Sequence, residues 1–231
     1  MQSGKKIVLG LDTSGAPLLV VAQQDAKTVV RRRSGMKQER LLFPAVNSAL
    51  AAVGGTLQQV GRIFIVRGPG RFTGIRISLT FASMLKYLNH TEVRGATVFE
   101  VLKYQAEKST AFQQWKKTHP DGVLGVVLHA FRQEYFLQIF DHSHSDPLWL
   151  SLEELQGRLD AFTRPLFLVG TGADKAPLNT FLKGSFARAR ATDCVVRPDS
   201  LLALAQQDQF QAEALEPLYL KPARFELMNP Q

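Results

Sequence analysis

Residues 62–81 read RIFIVRGPGRFTGIRISLTF. The short apolar run Ile63 to Val66 has the length and composition of a buried strand, and it enters a glycine-rich turn, Gly68-Pro69-Gly70-Arg71-Phe72-Thr73-Gly74. An apolar segment with helical spacing leaves that turn, predicting a helix from about Thr73 to Leu88 with Thr73 placed as its cap. Glycines here allow close approach of another backbone or of a ligand. A strand–turn–helix junction can also offer backbone N–H groups to an anion. The spacing is not that of the dinucleotide fingerprint, and no Gly-Lys-Ser/Thr follows as a phosphate-binding P-loop requires. Two readings stand: an anion cradle, or a structural turn that packs the helix tightly on a sheet.

Working outward, the first half has a clear order. Lys6 to Leu11 forms an apolar run ending at Asp12-Thr13-Ser14-Gly15, and strands follow over Pro17 to Ala22 and Lys27 to Arg33. A helix over Glu39 to Val53 is stopped by Gly54-Gly55. Next come a strand over Arg62 to Arg67, the glycine turn and its helix, a strand over Thr91 to Val98, and a helix over Phe99 to Lys108. Trp115 to Gly122 is polar and turn-rich and reads as a link.

The second half repeats the outline. Strands are predicted over Gly122 to Ala130, Gln133 to Asp141 and Pro147 to Leu150. A helix over Ser151 to Phe162 opens on a Ser151/Glu154 capping box. A buried-type strand over Arg164 to Gly170 leads to Gly170-Thr171-Gly172 and a helix over Ala173 to Leu182. A short strand over Asp193 to Val196, a helix over Asp199 to Gln207 and an extended tail over Pro217 to Pro222 complete the chain. Three meandering strands followed by strand–helix alternation imply a mixed sheet flanked by helices. Two such units in tandem define an α/β fold of the duplicated ribonuclease-H-like, or actin-like ATPase (ASKHA), kind, with lobes at residues 1–110 and 111–231. Fold of this kind does not fix function.

The formal net charge of +8 suits RNA, another polyanion or an acidic protein partner. The basic residues are nevertheless scattered, and the single triple, Arg31-Arg32-Arg33, ends a strand, where charge guards an edge. Met1 to Gly10 has too brief an apolar run for a signal peptide, and no stretch approaches membrane-spanning length. Cys194 is the only cysteine. A cytoplasmic protein with no membrane association is expected.

The helix after the glycine turn carries two neighbouring apolar stripes, Ile75, Leu79, Ala82, Leu85 and Ile77, Phe81, Met84, Leu88. A helix lying on one sheet needs a single stripe of roughly 100°. Something must cover the second: the other half of the chain, or a partner that also meets the helix carrying Leu41, Leu42 and Val46.

Chemistry is sparse. Asp12-Thr13-Ser14 sits where actin-like ATPases bind metal-linked water and phosphate, and also has the composition of a plain hairpin turn. The equivalent hairpin of the second half, His129-Ala130-Phe131-Arg132-Gln133-Glu134, has no Asp-Gly pair, so a complete ATPase set is missing. The five histidines show no metalloprotease spacing, and His142-x-His144 reads as a polar turn. Neither a catalytic group nor a metal site is assigned. A partner subunit is the reading that remains, with an independent actin-like ATPase or phosphotransferase acting through Asp12 as the alternative.

The stretch Val66 to Ser78 resembles the signature Gly-Arg-Gly-Pro-Gly-Ser-Phe-Thr-Gly-x-Arg-Ile-Gly of the bacterial tRNA threonylcarbamoyladenosine biosynthesis subunit TsaB, also called YeaZ. It departs from it at Val66, Arg71 and Ser78. Leu11-Asp12-Thr13-Ser14, Leu42-Phe43-Pro44, Val169-Gly170-x-Gly172 and Pro217-Leu218-Tyr219-Leu220-Lys221 are similar to further family segments, in the same order. Gln38 stands where the family has histidine, and only Ala130, Arg132 and Glu134 match its second-half Asp-Ala-Arg-x-x-Glu motif. The chain resembles a diverged member.

The resemblance implies a two-lobed actin-like fold and a non-catalytic role beside a catalytic relative, TsaD, and a small ATPase, TsaE. Together these place the threonylcarbamoyl group on adenosine next to the tRNA anticodon. It implies no cofactor for this chain, with ATP and a divalent metal held by the partners, and tRNA met only through the complex. The glycine motif, Gly68 to Gly74 with Arg76, becomes a family mark, and Asp12, Thr13 and Ser14 a vestigial nucleotide loop. The family pairs through its first two helices, in a heterodimer or a homodimer. That assigns Leu41, Leu42, Val46, Ile77, Phe81, Met84 and Leu88 to an interface, with Phe81→Asp expected to end pairing while the fold is retained.

Overall fold

The structure is a computed structural model that describes residues 7–35, 37–141, 146–175, 186–211 and 216–221. The chain divides into two compact units, Met1–Val101 with Val196–Leu218, and Leu102–Val195 with Tyr219–Gln231. The sequence places the division between residues 110 and 111; the contacts place Val196–Leu218 with the first unit.

The first unit is built on one five-stranded sheet. Strands β1 (Ile7–Asp12), β2 (Leu18–Gln24) and β3 (Lys27–Arg33) form an antiparallel meander, in which Asp25 takes the positive φ of 53° that a tight turn requires. Helix α1 (Gln38–Val53) ends at Gly54, whose φ of 87° lets its N–H close on the last turn. Strand β4 (Val60–Val66) then pairs parallel with β1, helix α2 (Phe72–Asn89) follows, and β5 (Glu92–Ala96) pairs parallel with β4. The order is β3-β2-β1-β4-β5. β3 lies at the edge, so the arginine triple guards it, and Arg31 also donates to Ser48 Oγ of α1 at 3.0 Å.

Helix α1 packs on β2 and β3, α2 on β4 and β5, and the two helices touch each other. Between helices and sheet lies a core of Leu9, Leu11, Leu42, Val46, Ile63, Ile65, Ile75 and Leu85, all nearly or wholly out of solvent. Helix α7 (Pro198–Leu204) packs on β1, β2 and β4. Gly10 permits this, because a Cβ there would meet Leu201 Cβ at 2.9 Å and Val21 Cγ1 at 2.7 Å.

The second unit takes in most of α3 (Val98–Lys108), then α4 (Thr110–Thr118), β6 (Val123–His129), β7 (Glu134–Phe140), β8 (Leu148–Ser151), α5 (Leu152–Asp160), β9 (Leu166–Val169), α6 (Thr171–Lys175) and β10 (Phe186–Arg188). Its sheet runs β8-β7-β6-β9-β10, antiparallel through β6, β7 and β8 and parallel through β6, β9 and β10. This is the plan of the first sheet, as the sequence predicts.

Two details differ from expectation. The polar link begins as helix α4, capped by Ser109 Oγ, which accepts from Phe112 N at 3.1 Å. Phe112 and Trp115 both pack on Phe167, an apolar pair that the flanking lysines disguise. The short strand expected at Asp193 to Val196 lies instead at Phe186–Arg188, beside Leu166–Leu168, while Ala191–Asp193 is a 3-10 turn. His142, His144, the helix expected beyond Lys175 and Pro222 fall outside the described residues. Among the described residues no helix is long and apolar enough to cross a membrane.

The segment after α7 returns to β5 through charge as well as apolar contact. Phe210 meets Phe64 edge-on at 6.1 Å, and Arg94 Nη2, 3% exposed at the side chain, donates to Asp208 Oδ1 at 2.7 Å. Glu92 accepts from Arg62 Nε at 2.8 Å and from Arg94 Nε at 2.7 Å. Burial alone would raise the Glu92 carboxyl, but these hydrogen bonds and charges outweigh it and hold it below the usual glutamate range. A carboxylate held low in the fold contributes stability that is present above its unfolded pKa and lost as pH falls through the folded one. Glu92→Gln should therefore lower stability at neutral pH by about 1 kcal/mol, a magnitude fitting a partly solvated charged hydrogen bond. The deficit should shrink as acid protonates Glu92 in the parent, read by urea unfolding across a pH series.

Candidate functional site

The glycine turn is interlocked with the Asp12 loop. A Cβ on Gly70 would overlap the carbonyl of Ser14, and one on Gly74 would overlap the carbonyl of Thr13 and Gln38 Oε1. Gly68 has a φ of 110°, and a Cβ there would lie 2.7 Å from Leu218 O. Three glycines thus admit three stretches of chain that any side chain would exclude. Arg71 N donates to Ser14 O at 2.7 Å, Gln38 Nε2 to Gly15 O at 2.8 Å, and Leu218 N to Arg67 O at 2.8 Å. Thr73 does not cap α2. The cap position belongs to Arg71, with no side-chain acceptor there, and Thr73 lies exposed in the first turn. The Arg71–Ser14 bond holds the turn close to the Asp12 loop, so the helix begins one residue earlier than the spacing of polar residues suggests.

The loop residues are engaged inside the chain. Asp12, Thr13 and Ser14 are buried. Asp12 Oδ1 accepts from Ser14 N at 2.9 Å and Ser14 Oγ at 2.6 Å, while Thr13 Oγ1 donates to Gly74 O at 2.8 Å and lies 2.9 Å from Ser78 Oγ. Burial raises the Asp12 carboxyl, and the two Ser14 hydrogen bonds offset part of that rise. The Thr13 hydroxyl is thus engaged with the glycine helix and the Ser14 hydroxyl with Asp12.

In the second unit, Gly170 has a φ of 110°, and a Cβ on it would overlap Val127 O. A Cβ on Gly172 would lie 2.9–3.0 Å from the backbone of Leu128 and His129, and Thr171 Oγ1 accepts from His129 N at 3.2 Å. The Gly-Thr-Gly turn thus packs against the end of β6. Cys194 is buried, which raises its thiol. Among the described residues no group of three His, Cys, Asp or Glu is arranged to hold a metal.

The helices α1 and α2 present a different kind of site. A groove of about 520 Å³ runs between them, lined by Phe43, Phe72, Arg76, Ile77, Phe81 and Met84 among others. Phe43 meets Phe81 edge-on at 5.2 Å, and the Arg76 guanidinium lies 5.1 Å from the centre of the Phe72 ring. Phe43, Phe72, Leu88 and Tyr87 are 44%, 52%, 64% and 83% exposed. Of the residues assigned to this face from the sequence, Leu88 is exposed, Leu41, Ile77 and Met84 are half-buried, and Leu42, Val46 and Phe81 are buried. Leu42 and Val46 are a correction: they pack in the unit's own core, because α1 and α2 lean on the same sheet and on each other, while Phe81, also packed in that core, forms the floor of the groove. Phe43, Phe72 and Tyr87 were missed. Phe43 precedes Pro44 within α1 and Phe72 opens α2, where stripe counting assigns no face, and Tyr87 belongs to neither apolar stripe.

The sheet order, repeated in both units, makes this an actin-like protein of the duplicated ribonuclease-H-like class. A family model described as TsaD, tRNA N6-adenosine threonylcarbamoyltransferase, matches residues 29–116. The tRNA threonylcarbamoyladenosine biosynthesis protein TsaB of Buchnera aphidicola subsp. Schizaphis graminum is 24% identical over 187 residues, 77% of this chain and 84% of its own length. The protein of the same name from Bacillus subtilis is 22% identical over 139 residues, 59% of this chain and 56% of its own. Among solved structures, YeaZ from Pseudomonas aeruginosa superposes with a TM-score of 0.63 at 21% identity, over 93% of this chain and 100% of its own. These sequence and structure likenesses support a divergent member of the TsaB/YeaZ family.

The interlock gives a sharp stability test. Gly74→Ala and Gly70→Ala should each cost about 1–3 kcal/mol by overpacking against backbone. Gly15→Ala, with open space around it, should stay within about 0.5 kcal/mol of the parent. Denaturant midpoints would measure all three.

Proposed function

We propose that the chain takes part in forming N6-threonylcarbamoyladenosine in tRNA as a non-catalytic docking subunit for a TsaD-like catalytic partner. A TsaE-like small ATPase joins the same complex, and tRNA is engaged through it. ATP and divalent metal are used by the partner subunits. The observation that carries the docking role is the α1–α2 face: an apolar groove flanked by Phe43, Phe72, Tyr87 and Leu88, all open to solvent. The family's sequence relatives support the pathway, and the family-model match spans both helices of that face. A homodimer through the same face is the competing use of the surface.

Leu88→Asp should weaken co-elution with the catalytic relative by about tenfold or more, with unfolding within about 0.5 kcal/mol of the parent. Phe81→Asp, in contrast to the expectation from sequence, should cost about 3–5 kcal/mol of stability, because it places a charge in the core beneath the groove. Full pairing by the Leu88 variant on size exclusion would move the interface elsewhere.

Asp12 separates this reading from an independent phosphotransferase. Its raised pKa means that the ionised carboxylate opposes folding at neutral pH and that this cost is relieved as pH falls through its titration. Asp12→Asn should therefore match or exceed the parent's melting temperature at pH 7, with the gain fading in acid. Nucleotide turnover by the isolated chain that disappears in this variant would favour the phosphotransferase.

A further inference from the structure

The docking face has an uneven charge. Helix α2 carries Arg76 and Lys86 and no carboxylate along its length, and Arg71 stands at its N-cap. On α1, Arg40 lies exposed one turn before Phe43, Lys37 stands just outside the helix, and Glu39 is the only acidic residue. Among the described residues, neither Arg71 nor Arg76 has a carboxylate within 4.0 Å; Arg76 lies over the Phe72 ring instead. Arg71 also sits at the positive end of the α2 dipole, which favours carboxylates, with Arg76 about one turn in, and no side chain caps that end. Locally this arrangement is unfavourable in the free chain. Local disagreement of this kind is the mark of a site completed by something else.

We infer that the α1–α2 groove selects a protein partner whose apolar docking residues are flanked by Asp and Glu, and that the arginine rim disfavours a second copy of this chain. This rests on the docking role proposed above and names the chemistry of the partner. A two-fold pair brings the same patch together twice, so a second copy offers the arginines only Glu39 as a carboxylate from these two helices. A nucleic acid would answer the arginines with phosphates but would leave Phe43, Ile77 and Met84 without apolar cover. Only a protein surface that is apolar at the centre and acidic at the rim matches both features. The Arg71 rim is a departure from the serine of the family signature, so selection of this kind belongs to this chain's own divergence.

The test is R71E/R76E, measured against Leu88→Asp with the full-length catalytic relative. Both arginines are exposed and glutamates suit that helix end, so the double variant should melt at or slightly above the parent. Pairing of the parent should weaken about tenfold or more between about 0.05 M and about 0.5 M salt. The double variant should pair about tenfold or more weakly at low salt and lose that dependence. The parent alone should stay monomeric at low salt, and a mixture of parent with R71E/R76E should form a dimer of copies. Pairing that Leu88→Asp removes but R71E/R76E leaves unchanged would overturn the inference and keep the docking role. Absence of pairing by the parent at every salt concentration would overturn both. Salt-sensitive binding of tRNA to the isolated chain, removed by R71E/R76E with subunit pairing intact, would assign the arginines to phosphate and overturn it too.

Discussion

The carbonyl of Ser14 lies where a side chain on Gly70 would be, and it accepts the N–H of Arg71. That single close approach ties the first hairpin to the start of α2. Thr13 repeats it one turn further, with its carbonyl against Gly74 and its hydroxyl on Gly74 O. Backbone packed against backbone tolerates no extra methyl group, so the position of α2 is set by hard contact and by hydrogen bonds of fixed length. Everything on the outer face of α2 inherits that position. The groove, the exposed aromatic residues and the arginine rim all hang on it.

The interlock also reassigns the polar loop. In an actin-like plan, Asp12-Thr13-Ser14 occupies the place of a phosphate-binding turn. Here its carboxylate accepts from Ser14, and Thr13 bonds the glycine helix. A buried polar group without a partner is costly, so hydrogen bonds within the chain are the stable arrangement for these residues. The proposed docking role fits that economy of polar groups. The same geometry that would cradle an anion can serve to brace a helix whose far side meets a partner.

Much of the fold was legible in the chain. Strand runs such as Ile63 to Val66, the Gly54 stop and the Ser151/Glu154 box are local signals, and the repeated order of strands gave the two mixed sheets. Helix α4 was hidden because Lys116 and Lys117 masked the Phe112/Trp115 pair, and its packing partner, Phe167, is far away in sequence. Helices α1 and α2 were legible as helices, and α2 as one with more apolar surface than a single sheet covers. Which residues stand outside was not: Phe81 and Phe43 are both aromatic, and stripe counting cannot say that one lies beneath the other.

The sequence by itself determined the elements, their order in two like sheets, the family signature from Gly68 to Arg76 and the excess of apolar positions on α2. Those follow from periodicity, turn chemistry and backbone freedom within a few residues. Only the tertiary structure decided that the loop of Asp12 is filled by its own hydrogen bonds, that Leu42, Val46 and Phe81 belong to the core, and that Phe43, Phe72, Leu88, Arg71 and Arg76 lie on the outer face. Burial and charge pairing depend on contacts between residues tens of positions apart, and no local pattern carries those distances.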